Sequence, residues 1–393
     1  MAGPSLNGLV NPDMLVWARE ESRMDVPTAA SKLNQTVDRL AEWESGARAP
    51  TLNQLRDLAN LYKRSIGVFF LRERPKVPRR PVDYRQLEVS TRSTMTPALA
   101  NGIREAEAKR ESALDIYVQL EEPAPEWSLQ IPQNAPADEA AALILERLGI
   151  TMRERAAWSS QYEALSGWRA AVEALGVIVV QLSRVPLEEM RGCALAMFPL
   201  PVIVLNSADS PLGRVFTLLH ELTHLARAES SLCDLVEDAP RAEADEAVEM
   251  YCNRVAGAML IPAAELAARP DVRRSDATTE WGLDELRAIS RVFWASREAI
   301  LRRLLDSGKT SRNYYRVMRE RFQQEYAAQR AQGGGPVPYH RLVLLSNGKL
   351  LTKLAVNAYK SQTITGTELS RILNAKLDHL PRINEALAGE VIA

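Results

Sequence analysis

From Pro12 to Tyr62, apolar residues recur at steps of three and four in short blocks. "PDMLVWAREESRM" places Met14, Leu15, Val16, Trp17 and Ala18 at helical spacing, and "TAASKLN" and "TVDRLAEWESG" follow. "TLNQLRDLANLY" carries a stripe of Leu52, Leu55, Leu58, Ala59 and Tyr62. Gly46 suits a helix C-terminal cap and Thr51 an N-cap. The pattern predicts a set of short helices. "RERPKVPRRPVDYR" then interrupts it with three prolines and surplus arginine, and reads as an extended linker. A charged amphipathic helix is expected over residues 97 to 120. "EEPAPEWSLQIPQNAPAD" is a second Pro-rich break, and helices return over 137 to 149 and 161 to 175.

The texture then changes. "GVIVVQLS" (176–183), "CALAMFP" (193–199) and "PVIVLNS" (201–207) are short apolar runs bounded by turn residues, and read as adjacent strands of a small sheet. A helix follows at once, with Ser210 as N-cap and Pro211 at its first position. A second, "RAEADEAVEMYCNRVAGAMLIP", ends near Pro262. Further helices fill 283 to 330, and "AQGGGPVP" (331–338) reads as a flexible joint. From about Tyr339 two strand-like runs precede more helices. No repeat is visible. The expected fold class is mainly α, multidomain, α+β in the middle.

Composition adds limits. Hydrophobic residues make up 46% and charged residues 25%, enough apolar mass for sizeable cores. The net charge of −1 means that nucleic-acid binding would need a local patch. Three cysteines (Cys193, Cys233, Cys252), with no C-x-x-C pair, argue against a disulfide framework and for a reducing cytoplasm. The N-terminus lacks the basic start and apolar run of a signal peptide. No stretch reaches the roughly 18 apolar residues of a membrane span.

Chemistry concentrates in "FTLLHELTHLARAE". The chain has four histidines, and two stand here, four residues apart. On a helix that spacing puts His220 and His224 on one face, able to share one ion. Glu221, beside the first of them, stands where it can take a proton from water at that ion. A catalytic zinc needs a third protein ligand and an open position. The following helix offers Asp245, Glu246 and Glu249. Its apolar stripe runs through Val248, Cys252, Val255 and Met259. Glu249 sits on the edge of that stripe, Glu246 points further toward solvent, and Asp245 lies near the helix start, where acids serve the dipole. Glu249 is therefore the expected third ligand. Asn253, one turn on, is the expected hydrogen-bond partner for the far nitrogen of a ligating histidine.

"VIVLNSADSPLGRVFTLLHELTHL" followed by "EMYCNRVAGAMLIP" resembles the ImmA/IrrE family of zinc peptidase-like proteins. Asn206, Phe216, Thr217, His220, Glu221, His224, Glu249, Cys252, Asn253, Ala256, Leu260 and Pro262 fit the family pattern, while Thr223 stands where glycine or alanine is usual. The resemblance continues through "AISRVFWASREAILRRLLDSG". It implies Zn2+ held by His220, His224 and Glu249, with Glu221 as general base.

"AASKLNQTVDRLAEWESGARAPTLNQLRDLANLYKRSIGVFF" resembles the helix-turn-helix of the Xre/Cro repressor group, with Trp43, Glu44, Gly46 and Pro50 as its W-E-x-G-x-x-x-P signature. The resemblance implies a recognition helix from about Thr36, with Asn34, Gln35, Thr36 and Arg39 near base edges or phosphates. Arg79 and Arg80, in the basic tract after the helices, are candidate phosphate contacts. Asp38 and Glu42 on the same helix would repel phosphate, which leaves protein docking as the alternative role. The expected organisation is a helix-turn-helix domain over 1–72, a linker and helical connector over 73–135, a zinc peptidase domain over 136–330 and a small C-terminal domain over 336–393.

The expected function is that of a zinc endopeptidase in bacterial or phage regulation, cleaving a repressor or partner protein and contacting DNA through its N-terminal domain. The alternative is a DNA-binding regulator or antitoxin whose peptidase fold holds a toxin or other partner without cleaving it. Oligomers are compatible with either, and no membrane role is expected. His340 and His379 read as structural or exposed. Cys252 reads as a small core residue, and Tyr251 as a core tyrosine more readily than a carbonyl-polarising one. "SQTITGTELSRILNAKLDHLPRI" reads as a paired-helix docking module.

Overall fold

A computed structural model describes residues 9–22, 24–62, 64, 66–74, 96–132, 134–228, 231–233, 243–331 and 337–388. The chain divides into two compact units, residues 1–108 and 109–393. Elements of the first are α1 (Pro12–Glu21), α2 (Val26–Lys32), α3 (Val37–Glu44), α4 (Leu52–Tyr62) and a 3₁₀ turn (Ile66–Phe70); α5 (Pro97–Gln119) begins in it and ends in the second. Each start is capped by the side chain the sequence supplies. Asn11 accepts from Asp13 N, Asp25 from Thr28 N and Thr36 from Arg39 N, while Thr51 and Gln54 cap each other's backbone. Gly46 takes φ +76°, which ends α3. Met14, Leu15, Trp17, Leu40, Trp43, Leu55, Leu58, Tyr62 and Phe69 form the core. Arg19 on α1 grips Glu44 on α3 through two bonds of 2.7 and 2.9 Å. The Pro-rich tract from Pro75, including Arg79 and Arg80, lies outside the described residues.

The second unit continues with α6 (Ala137–Leu148), α7 (Met152–Ala156), α8 (Gln161–Ala174), β1 (Ile178–Leu182), β2 (Gly192–Leu195), β3 (Val202–Asn206), α9 (Pro211–Ala226), β4 (Ser231–Cys233) and α10 (Glu243–Leu260). Then come α11 (Ala263–Ala268), α12 (Pro270–Arg273), α13 (Leu283–Phe293), α14 (Arg297–Asp306), α15 (Arg312–Ala331), α16 (Tyr339–Asn347), α17 (Lys349–Lys360), α18 (Gly366–Leu373) and α19 (Leu380–Ala388). The fold class is mainly α with a small sheet in the middle, as the hydrophobic pattern predicts. Strand order is β1-β3-β2-β4. β1 runs parallel to β3, and β2 is antiparallel to both β3 and β4. β1, β2 and β3 are buried almost throughout, which is why they read as continuous apolar runs rather than alternating ones. No helix among the described residues is long and apolar enough to cross a membrane.

Two details depart from the sequence reading. The runs after Tyr339 are helices α16 and α17, not strands. Four successive apolar residues, Leu342 to Leu345, fit either period, but Leu351, Ala355, Val356 and Ala358 are buried at helical spacing and decide it. A fourth strand, β4, pairs with β2 through only three residues, too few to show a period.

The α16–α17 corner docks on α8 and β1 through buried charge. Gly348 has no side chain to cap α17, and the Glu173 carboxylate of α8 accepts from Lys349 N at 2.9 Å in its place. Arg169, one turn earlier on α8, donates to Val179 O and Leu345 O. Gly348 lies at φ +77°, and a Cβ there would stand 2.6 Å from Glu173 Oε1 and 2.7 Å from Val179 O. Burial pushes the Glu173 carboxyl up from 4.5 to about 7, against Arg169 and the helix N–H groups. A raised folded-state value means the folded chain holds this proton more tightly than the unfolded chain does. The contribution is complete below about 4.5 and is lost as pH rises through about 7, amounting to roughly 3 kcal/mol at most. Melting temperatures of the parent chain and Glu173→Gln, compared from pH 5 to pH 8, are expected to show the parent losing ground over that window. Parallel curves would refute the assignment.

Candidate metal centre

α9 carries the site because its sequence leaves it no solvent face. Ser210 Oγ accepts from Gly213 N, Pro211 opens the first turn, and only Leu212, Gly213 and Phe216 of its sixteen residues keep partial exposure. Asn206, at the end of β3, holds the approach to the helix. Its amide donates to Val185 O and Met190 O and its oxygen accepts from Ala208 N. α10 lies beside α9 and is fixed at its far end by two buried arginines. Arg155 donates to Met259 O and Leu260 O, and Arg303 to Ile261 O, so carbonyls left unpaired by the ending helix are satisfied.

The geometry brings together His220, His224 and Glu249. The two Nε2 atoms are 3.1 Å apart. Glu249 places Oε2 3.3 Å from His220 Nε2 and Oε1 3.3 Å from His224 Nε2. Both imidazoles are buried, and the Glu249 side chain is 19% exposed. Burial alone would raise the Glu249 carboxyl. Its contacts with His220 and His224 outweigh that and hold it well below the ordinary carboxylate range. Two nitrogens and a carboxylate crowded in this way suit one cation. Tetrahedral zinc with bonds of ~2.0–2.1 Å sets its ligand atoms ~3.3 Å apart, matching these separations. Among the described residues this is the one His/Cys/Asp/Glu group with such spacing.

Glu221 is fully buried between α9 and β2. A glycine makes room for it. A Cβ on Gly192, the first residue of β2, would stand 2.4 Å from Thr217 Cγ2, 3.1 Å from Val204 O and 3.4 Å from Glu221 Cγ. Only glycine lets the strand lie this close over the helix. A glycine opening an apolar strand was the available signal.

Neighbouring groups fall into place around this centre. Phe216 stacks toward His220 at 6.5 Å between ring centroids, and Thr223 turns its hydroxyl back to Leu219 O. Burial pushes the Cys252 thiol up, against a contact with His224 that pulls it down. Tyr251 donates to Ala135 O at 2.9 Å and lies under the Arg227 guanidinium, so its hydroxyl is held in structure. Asn253 does not meet the expectation placed on it. It is exposed, and no hydrogen bond joins it to either imidazole among the described residues. Glu249 already stands at the margin of the buried stripe, and four residues at about 100° each carry Asn253 a further 40° toward solvent.

In the first unit the candidate nucleic-acid residues are engaged locally. Thr36 caps α3, and Gln35 N donates to Ala30 O. Arg39 pairs with Glu42 at 2.8 Å, while Asp38 is exposed.

No match is found among curated proteins. Residues 174–305, which run from the end of α8 through both site helices into the last turn of α14, match the Peptidase_M78 family model, the IrrE N-terminal-like domain.

Proposed function

We propose that the second unit is a zinc-dependent endopeptidase that acts on a regulatory protein, such as a repressor. The observation that carries this reading is the triangle of His220 Nε2, His224 Nε2 and Glu249, with edges of 3.1 to 3.3 Å, beside a buried Glu221. His220, His224 and Glu249 would hold the ion. Zinc, when bound, supplies Lewis acidity that brings water toward a pKa of ~7 and polarises a carbonyl. Glu221 takes the proton from the attacking water and returns it to the leaving nitrogen, so one carboxylate serves as base and then acid. Burial of Glu221 beneath β2 keeps bulk water away from that transfer.

The first unit would add DNA contact, with α2 and α3 as its helix-turn-helix. The four-residue turn Leu33–Thr36 and the outward side of α3 support that role, whereas the Arg39–Glu42 pair weakens the phosphate contact expected of Arg39.

Metal analysis tests the centre directly. The purified chain is expected to carry about one zinc equivalent, and His220→Ala to lose most of it. Full retention by that variant would remove the ligand assignment.

A further inference from the structure

The C-terminal helices α16 to α19 carry a charge pattern that the peptidase reading does not use. Residues 337–388 contain seven lysines and arginines against three acids, in a chain whose net charge is −1. One of those acids, Glu368, is folded back to cap α18, accepting from Thr365 N at 2.7 Å while its own N–H bonds Thr365 Oγ1.

The cations are ordered by the helices. On α17, Lys349, Lys353, Asn357 and Lys360 follow at steps of four, four and three, so they share one face. Lys353, Asn357 and Lys360 are exposed on it, while Leu351, Ala355, Val356 and Ala358 face the core. A turn over Ser361–Thr365, with Gln362 at φ +61°, leads to α18. There Leu369 and Leu373 are buried, Thr367 and Arg371 are exposed at i and i+4, and Asn374 follows as the exposed left-handed cap at φ +48°.

On α13 to α15, Arg287 pairs with Asp284, Arg302 with Asp306 and Arg321 with Glu325, while Arg291, Arg312 and Arg316 are exposed without an ion pair among the described residues. Lys353, Lys360, Lys376 and Arg382 are exposed and enter no ion pair among the described residues, and Arg371 is exposed with the Glu368 carboxylate, which its charge helps to hold low, one turn back. Two exposed lysines on one face of a helix, Lys353 and Lys360, beside a second helix whose outer side carries a threonine and an arginine, form an arrangement that can meet a phosphate backbone and then base edges.

We propose that α17, the Ser361–Thr365 turn and α18 form a helix-turn-helix interface for duplex DNA, with Lys353 and Lys360 on phosphates and Thr367 and Arg371 toward the groove. The proposal is independent of the metal centre and of α3.

The test uses the full-length protein and a short fluorescent DNA duplex of random sequence, with anisotropy read at several salt concentrations. Binding is expected to weaken steeply with salt as counterions are released. The triple variant Lys353→Glu, Lys360→Glu, Arg371→Glu should bind at least tenfold more weakly on the order-of-magnitude scale of such contacts. The milder triple change to Gln, which leaves the fold undisturbed at exposed positions, should lower the log–log salt slope by about one for each phosphate contact removed. Absence of binding at low salt would overturn the proposal. So would binding abolished by Arg39→Glu in the first unit but unchanged, in affinity and slope, by both C-terminal triples.

Discussion

Glu221→Gln is expected to keep its zinc and lose cleavage by roughly 10²–10⁴-fold, the span that a positioned general base contributes. The argument rests on where the carboxylate lies. It is fully buried under Gly192 and beside His220, so a change of size would alter the packing of β2 on α9 as well as the chemistry. Glutamine has the same shape and leaves His220, His224 and Glu249 untouched. What it lacks is an oxygen that can take and return a proton. The measurement is cleavage of the protein encoded beside this one, co-expressed and followed by mass spectrometry, with zinc assayed on the same preparation. A variant that retains zinc and still cleaves would exclude Glu221 as the base. A variant that stops cleaving while its regulatory effect in cells persists would favour the alternative, a regulator or antitoxin that grips its partner without cutting it.

Gly192→Ala is expected to cost about 1–3 kcal/mol of stability, the range for overpacking a filled core, and to lower activity while zinc stays bound. The added methyl would meet Thr217 Cγ2 at 2.4 Å, a separation that carbon atoms do not tolerate. β2 cannot simply lift away, because Cys193 and Ala194 are paired to β3 on one side and to β4 on the other. The strain therefore passes into α9, and Glu221 is the catalytic candidate within reach. Thr217→Ser removes the offending Cγ2 and keeps the hydroxyl, so the double variant should recover much of both losses. Thermal melts, zinc content and cleavage assays on the two single variants and the double would read this out. A Gly192→Ala protein as stable and active as its parent would show that the close approach has no functional weight.

What the sequence could reveal depended on how local the cause was. His220 and His224 are legible because i, i+4 spacing alone puts them on one face. The caps at Thr36, Thr51 and Ser210 are legible because a cap is a contact within three residues. Glu249 required one further step, the angular position of an acid at the edge of an apolar stripe, and the geometry places it against both imidazoles. The same reasoning failed for Asn253, since one more turn along a helix margin crosses from buried to exposed. Gly192 and the Glu173–Gly348 contact depend on neighbours 25 and 175 residues away (Thr217 and Glu173 respectively), and no periodicity carries that information. The C-terminal helices were misread at Leu342 to Leu345 because four apolar residues in a row have no period at all.

A helix buried along almost its whole length, as α9 is, leaves little room for gradual change. A saturation scan should find nearly every position from Val215 to Ala226 intolerant, because all but Phe216 are buried and the helix packs against α8, α10 and the sheet. Exposed elements drift freely by comparison. If this protein and its descendants acquire new targets, the innovation has to be recorded outside α9, on its open neighbours. The margin of α10, where Met250 and Asn253 reach solvent a residue or a turn from Glu249, is the nearest place where substitutions can accumulate without dismantling the centre.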